Sequence, residues 1–157
     1  MTFPSIAALV FFLAVCSAVA AIGAKVTVPE IPNWYASIVK PRWTPPRLAF
    51  PIVWPILYAS MAVTGWLIWE AAPSSLRTWS LVLFAVQLAL NAIWSPIFFG
   101  LHNLLGGLIV IILLIGAIAA LIATAANIAP FAAALLVPYL AWTMFAAALN
   151  AKIVSLN

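Results

Sequence analysis

Apolar residues in this chain do not keep the two-residue period of a half-buried strand. They run on unbroken, and the charged residues fall between the runs. Met1 to Ala24 holds no Asp, Glu, Lys or Arg; neither does Leu48 to Trp69, nor the long stretch from Thr78 to Ala151. A helix crossing a hydrocarbon core roughly 30 Å thick needs about 20 apolar residues, so these runs accommodate one, one and three crossings. The pattern predicts helices at about 5–24, 51–72, 79–100, 104–126 and 130–152. Three connections are short turns, and proline at Pro130 is placed to start the last helix. The first connection, 25–50, is long. Transmembrane strands are disfavoured because stretches such as Leu108 to Ile115 are apolar on every side. The expected fold is an all-α integral membrane protein, a five-transmembrane-helix bundle forming one domain over 1–157.

Composition sharpens this picture. The chain is 68% hydrophobic and 5% charged, with a mean hydropathy of +1.27, which excludes water as its solvent. A net charge of +4 from six cations cannot build a phosphate-tracking surface, so no nucleic-acid partner is expected. A single cysteine, Cys16, excludes an intrachain disulfide. The first apolar run ends in small residues that resemble a signal-peptide cleavage region. It lacks a basic start and is long for such a core, so a retained helix is expected. Counting crossings places Lys25, Lys40, Arg42, Arg47 and Lys152 at the end of the bundle that carries the long loop, and Arg77 at the other. The positive-inside rule then makes loop 25–50 and the C-terminus cytoplasmic. Trp66, Trp69 and Trp79 flank the second connection and read as an interfacial belt.

The polar and aromatic residues converge at the loop end. Gln87, Asn91, Trp94 and Phe98 lie on one stripe of the third span, Trp142, Ala146 and Asn150 on one of the fifth, and Trp54 and Tyr58 on one of the second. Gln87, Asn91 and Asn150 should face the interior because an amide has no partner in lipid: Gln87 and Asn150 either bridge helices or border a cavity, and Asn91, beside Trp94, is expected to border the cavity. A cavity walled by indoles and phenols suits a flat lipophilic ligand, and Lys40, Arg42 and Arg47 in the covering loop can pair with its carboxylates or with lipid headgroups. With Glu30 and Glu70 the only acids and His102 the only imidazole, no catalytic set or metal cluster can be assembled. His102 reads as a solvated turn residue. Small residues align at Ala85, Ala89 and Ala92 of the third span and at Ala14, Ala18 and Ala21 of the first; the third is the expected dimer face.

The segment from Trp34 to Pro46, with Phe50 to Trp54 and Leu57-Tyr58, resembles the first loop and second helix of the TspO/MBR family of tryptophan-rich sensory proteins and mitochondrial translocator proteins. Ala85 to Asn91 with Trp94-Ser95-Pro96 and Phe98-Phe99 is similar to its third helix, and Pro138 to Trp142 with Leu149-Asn150 to its fifth. The resemblance implies a homodimeric receptor, sensor or carrier that binds protoporphyrin, haem and similar flat ligands without a required cofactor. Tyr35, Trp43, Trp54, Asn91, Trp142 and Ala146 would belong to the pocket. It leaves two alternatives: light-dependent porphyrin degradation involving Trp54 and Trp142, and an assembly partner whose grooves hold only lipid. Sterol binding is not expected, since Tyr139 has no Lys or Arg before Lys152. Loop 25–50 is expected to act as a lid.

Overall fold

A computed structural model describes residues 3–157. Helix α1 spans Phe3–Glu30, a single turn α2 spans Trp34–Ser37, and α3 (Ala49–Glu70), α4 (Ser75–Ser95), α5 (Leu104–Ala125) and α6 (Pro130–Leu156) complete the chain. Five helices are long and apolar enough to cross a membrane, and they match the five predicted runs. The clearest differences lie at the loop end. Helix α1 continues past residue 24 to Glu30, and α6 past residue 152 to Leu156. Loss of apolar character ends a membrane crossing but does not end a helix. At about 1.5 Å per residue, each helix extends some 10 Å beyond a 30 Å core, so the irregular part of the first loop shortens to 31–48.

The spans close into a ring in the order α1, α3, α6, α5, α4. Buried side chains from every span, among them Phe12, Met61, Phe84, Ile118 and Leu136, form one apolar core. Gly65 lets α3 accept the Phe12 ring of α1 against its backbone, since a Cβ there would stand 2.5 Å from Cδ1 of Phe12. Helix ends are capped by side chains: Ser74 Oγ accepts from Arg77 N at 3.1 Å, and Asn103 Oδ1 accepts from Gly106 N at 2.7 Å.

Helix α4 does not stop cleanly at its loop end. Pro96 has no N–H to continue the ladder, and Pro96–Gly100 widens into a π-helical turn in which Leu101 N donates to Pro96 O at 2.9 Å. This turn presents Phe98 and Phe99 side by side beneath the first loop.

Candidate ligand site at the loop end

The candidate residues separate into three groups. The first sits on the π-helical turn. Trp94 stacks on Phe98 with centroids 5.0 Å apart, and Trp34 and Tyr35 of α2 lie edge-on or tilted against Phe98 and Phe99. The Trp34 ring also stacks flat on His102 at 4.4 Å, while His102 Nε2 donates to Glu30 Oε2 at 2.9 Å. His102 has a φ of 52°, which turns the chain from α4 into α5 and brings its ring back over the loop. His102 is exposed in its turn as expected, and it also ties α1, α2 and the α4–α5 turn together.

Lys40 belongs to the same group. Its ammonium donates to the carbonyls of Tyr35 and Ile38, the latter at 2.7 Å, and lies 4.8 Å above the Tyr35 ring. A cation on the last carbonyls of a helical turn stabilises that turn, so Lys40 serves the fold of the loop. Partial desolvation, with the positive charge of Arg47 second, holds its pKa below the usual lysine value. Burial against the phenylalanines raises the Tyr35 phenol above its ordinary value. Arg42 and Arg47 are exposed, and neither forms an ion pair among the described residues.

The second group lies on α6. Phe50 packs edge-on against Trp142 at 5.8 Å, Phe145 lies beside Trp142, and Trp43 of the loop meets Phe145 at 5.7 Å. Trp142 and Phe145 line a lateral groove of about 540 Å³ between α3 and α6, together with Val53, Ile56, Leu57, Pro138 and Ala141. Ala146, one turn beyond Trp142, is half-buried.

The third group joins the helices at the centre of the ring. Tyr58 Oη donates to Asn91 Oδ1 at 2.6 Å, and Asn91 Nδ2 donates to Tyr139 Oη at 2.7 Å, linking α3, α4 and α6. Trp54 leans on Tyr58 at 5.6 Å. Asn91, expected to border a cavity, instead bridges helices, because two tyrosine hydroxyls stand within reach of its amide, and of the two readings open for Asn150 bridging holds. The Asn150 amide meets Leu104 O at 3.0 Å and Leu108 N at 2.9 Å in the orientation that pairs donor with acceptor. Among the described residues, Gln87 is fully buried without a partner for either end of its amide, and the indole nitrogens of Trp94 and Trp142 are buried without acceptors. No cluster of metal-ligating side chains occurs among the described residues.

The pattern of the TspO/MBR family matches residues 12–156. The chain belongs to the TspO/MBR family. It is 40% identical to a tryptophan-rich protein TspO of Chlorobaculum tepidum over 92% of both chains. It is 43% identical to the translocator protein of Bos taurus over 82% of this chain and 78% of that one, and 35% identical to a tryptophan-rich sensory protein of Cereibacter sphaeroides over 93% and 89%. As a TspO/MBR protein it is a multi-pass integral membrane protein, and the tryptophans at 34, 43, 54, 94 and 142 gather at one end of its bundle.

Sequence reasoning expected Trp34 to pack the loop on the bundle, as it does, but left Phe50, the Glu30–His102 pair and Asn157 out of the site. The contact between α6 and the loop carried no signal in the sequence. Asn157 accepts from Val39 N at 2.9 Å and donates back to Val39 O at 3.0 Å. The interfacial belt is also revised at Trp66, whose indole N–H turns inward to Ser5 Oγ at 3.2 Å, while Trp69 and Trp79 are exposed.

Proposed function

We propose that this protein is a membrane receptor or carrier for tetrapyrroles and similar flat lipophilic molecules, taken up at the loop end beside α6. The reading is carried by the buried indole N–H groups of Trp94 and Trp142, which meet no acceptor although they stand among aromatic rings. A buried donor without a partner costs about 1–3 kcal/mol, and a ligand bearing carbonyl or carboxylate oxygens between flat apolar walls would relieve that cost. The α3–α6 groove supports lateral access from the bilayer, with Trp142 in its wall. Arg42 and Arg47, exposed in the covering loop, suit carboxylates at the ligand's edge. The names of the relatives, sensory protein and translocator protein, accord with this reading. The charge bias supports a cytoplasmic loop end. A homodimer belongs to the reading too: Ala85 and Ala89, exposed along α4, support the expected contact face, and Ala14, Ala18 and Ala21, exposed along α1, offer the alternative.

The test is a titration of purified protein with protoporphyrin and with its dimethyl ester, following tryptophan fluorescence in darkness and then under illumination. Saturable quenching in the dark is expected, and neutralising Arg42 and Arg47 together should weaken the diacid more than the diester. Absence of quenching would leave the protein an assembly partner that holds only lipid. New absorption bands that form only in light would make it a porphyrin-degrading enzyme.

A further inference from the structure

A second groove, of about 700 Å³, opens between α1 and α4 toward the end of the bundle away from the first loop. From α1 it takes Ala8, Phe11 and Val15, and from α4 Leu81, Ala85 and Leu88; Trp69 closes its mouth. Its walls are apolar throughout, and on α4 it extends about 10 Å from Leu81 to Leu88. Leu81, Ala85 and Leu88 follow Arg77 at i+4, i+8 and i+11, so Arg77 stands at the head of the same helical face.

Arg77 is the only Lys or Arg at this end among the described residues. Its Cζ lies 4.7 Å above the Trp69 ring. The guanidinium is held over the indole face with Nε buried, which leaves its terminal nitrogens as the donors for a phosphate. Among the described residues, Glu70, the acid at this end, forms no ion pair with it, and Arg77 Nε has no acceptor. Arg77 also lies in the first turn of α4, where the helix dipole adds positive potential.

We infer that this groove holds one anionic phospholipid, with an acyl chain along the Leu81 to Leu88 face and the headgroup phosphate on the Arg77 guanidinium. An apolar channel in register with an uncompensated cation at its interfacial end complements such a lipid at both parts. Trp69 serves both, as a wall for the chain and a platform for the guanidinium.

The test uses the full chain in bilayer discs of equal parts phosphatidylcholine and phosphatidylglycerol, extracted gently and weighed intact by mass spectrometry. One phosphatidylglycerol should remain on the wild type in preference to phosphatidylcholine. Retention should fall about tenfold in Arg77→Gln, be kept in Arg77→Lys, and fall in Ala85→Trp, which fills the groove. Lys152→Gln, at the opposite end, should retain the lipid. Because Arg77→Lys preserves charge and Ala85→Trp preserves Arg77, a failure of one variant to fold leaves the other to decide. Equal retention of both lipids, or undiminished retention in Arg77→Gln, would overturn the assignment. So would efficient crosslinking between copies through cysteines placed at Ala8 and Ala85, which would make the groove a protein interface.

Discussion

Asn157 pairs with the backbone of Val39 as a neighbouring strand would, accepting from its N–H and donating to its carbonyl. The same amide nitrogen also lies 2.9 Å from Ile153 O, which holds the side chain in place on α6. One carboxamide thereby ties the first loop to the helix that carries Trp142.

Asn157→Ala should free that loop without unfolding the bundle. Two hydrogen bonds to the loop and one to Ile153 O, about 0.5–1.5 kcal/mol each, are lost from a site at the chain's surface, so their effect is local opening. Amides from Ile38 to Arg42 are expected to exchange several-fold faster, and porphyrin should dissociate faster with little change in thermal stability. Unchanged exchange would show that α2 and its aromatic contacts alone hold the loop.

Asn91→Ala is expected to lower stability by about 1–2 kcal/mol, because it strips a partner from Tyr58 and from Tyr139 at the centre of the ring. Tyr58→Phe should cost less, since Asn91 then keeps Tyr139. Thermal unfolding in one detergent compares the two variants. If Asn91→Ala leaves stability intact while porphyrin affinity falls, the amide serves the ligand and not the helices.

Trp142→Ala should weaken porphyrin binding far more than Trp79→Ala. Trp142 lines the α3–α6 groove among aromatic neighbours, whereas Trp79 is 63% exposed at the opposite end. Loss of one stacking indole is worth about 1–3 kcal/mol, or roughly five- to 150-fold in affinity. Fluorescence titration of both variants measures the difference, and equal losses would point to general destabilisation.

Two glycines should respond oppositely to alanine. At Gly65 a Cβ would meet the Phe12 ring at 2.5 Å, and Phe12 is itself packed on Phe84, so Gly65→Ala should cost about 1–3 kcal/mol. At Gly116 a Cβ meets nothing within 4 Å, and Gly116→Ala should stabilise α5 by about 0.5–1 kcal/mol. Melting temperatures of the two variants check both signs.

The five crossings, the long first loop and the gathering of aromatics at one end were legible in the residues themselves. The bilayer is a one-dimensional filter: length and polarity along the chain decide what crosses, and helical rise then sets the depth of each tryptophan. The Trp34–Tyr35 and Pro138–Trp142 segments were legible for the same reason, as contiguous motifs. What lies around the helix axes was not. A stripe such as Gln87, Asn91, Trp94 and Phe98 shares one face, yet the ring order gave its members different environments: no partner for Gln87, two tyrosines for Asn91, a stacked pair for Trp94 and Phe98. Lys40 became a cap for α2, and His102 a tie to Glu30 and Trp34, because each polar group took the nearest partner that tertiary packing supplied. Apolar length determines which segments enter the membrane and how deep each residue lies. Partner choice depends on rotation and contact between helices, and these emerge only when all five faces are packed at once, because a long polar side chain such as Asn91 finds its partners on other helices.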